Sequence, residues 1–106
     1  MNIGQIIKDR YKILELLGEG GMAFVYKAED KQLKRTVAIK TLKPNFVQQE
    51  AFVERFKREA QTVANLNHPN IVQIFDWGIE GEPFFVMEYI EAVSYTHLTL
   101  PTILLV

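Results

Sequence analysis

The chain has 106 residues, 48% of them hydrophobic and 24% charged, with a formal net charge of −1. That is the balance of one small globular domain or part of a larger one, with no global field to draw it toward nucleic acid or a membrane surface. It contains no cysteine, which excludes disulfides and thiolate metal sites and fits a reducing, cytoplasmic setting. Residues 1–10 hold no apolar run of signal-peptide length, and no stretch of this sequence is long and apolar enough to span a bilayer.

In chain order, Tyr11 to Leu17 is an extended apolar run, followed by Gly18, Gly20 and Gly21 and then by Phe24 to Ala28, rich in aromatic and β-branched residues. Two strand-like runs around a glycine turn predict a hairpin. Glu29 to Arg35 is polar and reads as the next turn, and Thr36 to Leu42 as a third strand. Alternation places Ala38, Lys40 and Leu42 on one face of it and Val37 and Ile39 on the other. Pro44 and Asn45 break the pattern. From about Gln48 to Leu66 the apolar residues Phe52, Phe56, Ala60, Val63 and Leu66 recur every three or four positions, which predicts an amphipathic helix. His68-Pro69-Asn70 stops it. Ile71 to Gly78 and Pro83 to Tyr89 are two further strands joined by a tight turn at Glu80-Gly81-Glu82. Short connections favour antiparallel pairing. The predicted fold is α+β: a five-stranded antiparallel sheet with one main helix.

Three features carry chemistry. Gly18-Glu19-Gly20-Gly21-Met22-Ala23 approximates G-x-G-x-x-G with alanine in the third glycine position. Glycines let backbone N–H groups approach phosphate oxygens, although a plain hairpin turn uses glycine too. A strand, not a helix, follows the glycines, so a dinucleotide fold is excluded. No Gly-Lys-Ser/Thr is present, so it is not a P-loop. The second feature is Lys40, on an otherwise apolar strand. It is either an edge lysine reaching for solvent or a cation able to bridge Glu59 and a phosphate, with the small Ala38 on the same face leaving room for something flat to lie against the sheet. The third is Glu59, three residues after Phe56 and so beside the apolar stripe of the helix. Its partner is water, Arg55, Arg58 or Lys40.

These residues resemble a known family, the eukaryotic-type serine/threonine protein kinases. Gly18 to Val25 resembles the glycine-rich loop and its valine, and Val37-Ala38-Ile39-Lys40 matches the family's V-A-I-K strand. Arg58-Glu59-Ala60 resembles the centre of helix C. His68-Pro69-Asn70-Ile71-Val72 looks like the loop after that helix, and Phe85-Val86-Met87-Glu88-Tyr89 like the strand entering the hinge. The resemblance runs from about Tyr11 to Glu91, and the Gly-Gly-Met and His-Pro-Asn variants are most similar to bacterial members. It implies a kinase small lobe over residues 1–91 and ATP as cofactor. The loop amides of Gly18, Glu19, Gly20, Gly21, Met22, Ala23 and Val25 would cover the phosphates. Lys40 would contact the α- and β-phosphates, held by Glu59. Leu17, Val25 and Ala38 would sandwich adenine, with Met87 as gatekeeper and the Glu88 carbonyl and Ile90 N–H as hinge hydrogen bonds. Ala23 departs from the family's glycine.

The H-R-D, D-F-G and A-P-E motifs have no counterpart in this sequence, and no Asp follows Asp76. The Mg²⁺ ligands and the residue that orients the substrate hydroxyl are therefore expected in a large lobe that this sequence lacks, as are the contacts to protein substrates. Residues 92–106 contain no Asp, Glu, Lys or Arg. From about Val93 the chain is similar to translated sequencing-adapter DNA, so this tail is expected to be non-native or disordered. The whole protein is expected to transfer the ATP γ-phosphate to protein Ser or Thr, and this piece alone to be inactive. The alternative is a non-catalytic, pseudokinase-like nucleotide-binding module, which the two missing Asp residues would distinguish. A further alternative is an interaction domain that binds no nucleotide, against which Lys40 and the glycine loop speak.

Overall fold

A computed structural model describes residues 1–65 and 73–89, the side chains of 63–65 excepted. Six strands and two helices follow one another: β1 (Ile6–Ile7), β2 (Tyr11–Glu19), β3 (Ala23–Asp30), β4 (Arg35–Leu42), α1 (Pro44–Val47), α2 (Glu50–Asn65), β5 (Ile74–Glu80) and β6 (Glu82–Glu88). They form one sheet in the order β1-β2-β3-β4-β6-β5, every pair antiparallel. The five predicted strands are all there, with ends shifted by up to three residues. The tail from about Val93 and the hinge residue Ile90 lie outside the described residues.

The sixth strand is the two-residue β1. Its turn into β2 runs through Lys8 and Asp9, both at φ 54°, a left-handed conformation that lysine rarely adopts. No periodicity can announce a strand of two residues, so the hydrophobic pattern missed it. The second addition is α1. Pro44 does end the strand pattern, but it sits in the first turn of a short helix, where its missing N–H costs nothing. The turn at Glu80-Gly81-Glu82 forms as expected, with Gly81 at φ +75°.

Both faces of the sheet are covered at β4, which is buried from Val37 to Leu42 and apolar almost throughout. On one face Val37 and Ile39 are buried with Ile7, Tyr11, Ile13, Tyr26, Ala28, Phe84 and Val86. On the other, Ala38 and Leu42 are buried with Ala23, Val25, Phe56, Phe85 and Met87. The predicted alternation thus separates two cores. The β3–β4 turn is closed by Asp30, whose carboxylate is fully buried. It accepts two 2.8 Å bonds from the Arg10 guanidinium and one each from the N–H groups of Gln32 and Leu33. The Arg10 bonds, aided by these amides, hold the Asp30 carboxyl well below the usual carboxylate range.

Candidate functional site

The β2–β3 hairpin carries the glycine flap. Gly18 stands opposite Val25 and Glu19 opposite Phe24, and the Gly20 N–H donates to the Ala23 carbonyl at 2.9 Å to close the tip. A Cβ added at Gly21 would meet nothing within 4 Å, and only Gly4 and Gly81 among the described glycines have positive φ. The fold itself therefore does not require glycine at position 21. Its bare backbone is left open to approach from outside.

Beside the flap, register places Val25 opposite Lys40 and Ala23 opposite Leu42. Strand β4 lies between β3 and β6, so Lys40 is a central-strand residue and not an edge lysine reaching for solvent. Its side chain is fully buried, and its Nζ donates to Glu59 Oε1 at 2.8 Å. Helix α2 holds Glu59 in place through Phe56, one turn earlier, which is buried with its ring centroid 5.2 Å from that of Phe85. Arg55 and Arg58 are exposed, so the partner of Glu59 is the lysine 19 positions earlier in the chain. Burial pulls the Lys40 ammonium below its usual pKa, and the hydrogen bond and charge of Glu59 act in the opposite direction. The second oxygen of Glu59, Oε2, is buried with no hydrogen-bond partner among the described residues.

Val25, Ala38 and Met87 belong to the core on this same face, with Leu17 and Met22 packed against it. Ala38 stands opposite Met87. All three core residues are fully or almost fully buried, which is also what plain core packing gives. Glu88 ends β6, its N–H bonded to the Gln73 carbonyl at 2.9 Å. The structure therefore sets Leu17, Val25, Ala38 and Met87 on one face of the sheet with the Lys40–Glu59 pair, the flap tip toward the Leu42 end of β4 and Glu88 toward its Val37 end. Among the described residues no group of three or more His, Asp or Glu is placed to hold a metal ion, and no helix is long and apolar enough to cross a membrane.

Sequence reasoning missed two features. A groove of about 200 Å³ lies between α2 and the β5–β6 hairpin, lined by residues including Ala60, Ile74, Trp77 and Pro83; its β5 side chains read in sequence as ordinary strand positions. The other is Lys43, which follows the third strand like any solvated lysine and in the structure binds Glu19 of the flap.

Comparison with known proteins agrees with this geometry. Residues 11–103 match the protein kinase domain family. The chain is 50% identical over 95 residues to the serine/threonine-protein kinase PrkC of Bacillus subtilis, covering 89% of this chain and 15% of that protein. It is 49% identical over 90 residues to a probable serine/threonine-protein kinase of Clostridium perfringens, covering 84% of this chain and 13% of the other. The chain thus spans a small part of the length of the relatives it matches. Among solved structures it superposes on PpkA-294 in its apo form with a TM-score of 0.75 at 27% identity, covering 84% of this chain and 38% of that one. The Mycobacterium tuberculosis PknI kinase domain gives 0.67 at 28% identity, with 86% and 37% covered. The chain belongs to the protein kinase family, and its described residues have the architecture of the kinase small lobe.

Proposed function

We propose that this chain is the ATP-binding part of a serine/threonine protein kinase that acts in the cytoplasm. The observation that carries the reading is the 2.8 Å bond between buried Lys40 and Glu59. A buried ammonium is costly, and here it is held by a carboxylate on another element beside a flap whose glycine the fold does not need. Such a cation suits phosphate oxygens, which supports the reading. The amides from Gly18 to Val25 cover the phosphates, Lys40 contacts the α- and β-phosphates, and Glu59 fixes its ammonium. Leu17, Val25 and Ala38 enclose adenine, Met87 bounds the back of that pocket, and the Glu88 carbonyl with the Ile90 N–H would bond its edge. Mg²⁺ would supply charge neutralisation at the phosphates when bound. The described residues do not fit it, and its ligands belong to the large lobe.

The experiment is a titration of the 106-residue chain with ATP, followed by backbone amide NMR. The largest shifts are expected in Gly18 to Val25, and Lys40→Met is expected to weaken binding by roughly tenfold or more, the scale of one charge-assisted hydrogen bond. Equal ATP affinity in the Lys40→Met chain, with its fold intact, would contradict the reading.

A further inference from the structure

Beyond the β3–β4 ladder, which runs as far as Ala23 opposite Leu42, Lys43 fastens the flap to the rest of the sheet. The Lys43 N–H donates to the Met22 carbonyl at 2.7 Å. Its Nζ lies 2.5 Å from Glu19 Oε2 and 5.2 Å from the centre of the Phe24 ring. The Lys43 side chain is only 15% exposed, although Glu19 is 54% exposed. Lys43 also precedes α1 as its capping residue, so the same residue anchors the loop and opens the connection toward the helix that bears Glu59.

Glu19 is the one charged residue between Gly18 and Val25. A carboxylate in a loop whose amides receive a polyphosphate is electrostatically out of place, because like charges within a Debye length of about 8 Å repel at physiological salt. Resting on the ATP reading above, we propose that Lys43 is a positioning residue for nucleotide binding: it neutralises Glu19 and holds the flap in register over the end of β4. Lys43 itself touches no substrate in this scheme. It removes a repulsion and fixes the loop that makes the contacts.

The test is a set of binding curves on the 106-residue chain, for ATP and for adenosine, with each variant's fold checked by its amide spectrum. Lys43→Met is expected to weaken ATP binding about three- to fivefold, the scale of an exposed ion pair, and to leave adenosine binding unchanged. The double variant Glu19→Gln/Lys43→Met should return ATP affinity to within about twofold of the parent chain, since the repelling charge is gone. Lys43→Arg should bind ATP like the parent chain. An equal loss for ATP and adenosine in Lys43→Met, or a double variant as weak as the single one, would overturn the inference. The Lys40→Met chain separates this from the underlying reading. If Lys40→Met loses ATP and Lys43→Met does not, the inference alone fails; if Lys40→Met loses nothing, both fail.

Discussion

Tyr11 shows how single side chains set the conditions under which this sheet is stable. Its hydroxyl is buried and donates to Asp76 Oδ2 at 2.9 Å. Burial, and then the Asp76 carboxylate, push its pKa from the usual 10 up to about 12. The folded state thus keeps this proton where the unfolded chain has already lost it. Its contribution is complete below pH 10 and is lost as the pH climbs from 10 toward 12. A rise of that size corresponds to about 2–3 kcal/mol. In urea unfolding the advantage of the chain over Tyr11→Phe is expected to shrink between pH 9 and pH 12; a constant difference would contradict the assignment. Lys40 and Glu59 were legible in the sequence because strand alternation and helix register each put them at the margin of a core. Asp30 was not, because a carboxylate in a polar stretch such as Glu29 to Arg35 gives no sign that an arginine 20 positions earlier will enclose it.

At the scale of elements, α2 is the part that decides whether the site exists. It meets the sheet through Phe56 against Phe85, with Val53 and Ala60 packed alongside. Phe56→Ala should cost about 3–5 kcal/mol, the usual range for a buried phenylalanine. It should also release Glu59 from Lys40, because the helix loses the ring that sets its register. The check is an unfolding midpoint together with amide exchange along α2; a loss of stability with unchanged protection of α2 would show that the helix is held by other contacts. The helix was readable from its three-and-four spacing, and the hairpins from glycine turns between β-rich runs. What escaped was short or irregular: β1, whose turn asks lysine and aspartate for positive φ, and α1, one turn long. The bulges of β2 between Ile13 and Glu15 and between Leu16 and Gly18 likewise interrupt a run that reads as continuous, leaving Leu14 and Leu16 exposed.

At the scale of the whole molecule, the proposed reading gives this chain one side of a phosphoryl-transfer site. Such catalysis is mostly positioning and charge neutralisation at the γ-phosphate, and Glu88, opposite Val37 at the far end of β4 from the flap, lies away from the phosphates in the proposed arrangement. Purified residues 1–106, given radiolabelled ATP, Mg²⁺ and a basic protein substrate, are therefore expected to transfer no more phosphate than a Lys40→Ala control. Transfer above that level would mean that the catalytic groups lie within this chain after all. The central claim, that Lys40 and the glycine flap receive the phosphates of ATP, is tested most directly by a crystal structure of the chain with a non-hydrolysable ATP analogue. The account predicts Lys40 Nζ within hydrogen-bond distance of an α- or β-phosphate oxygen while still bonded to Glu59, with the amides of the flap facing the phosphates. A nucleotide seated elsewhere, such as the groove beside Trp77, with Lys40 and Glu59 paired as before, would contradict it.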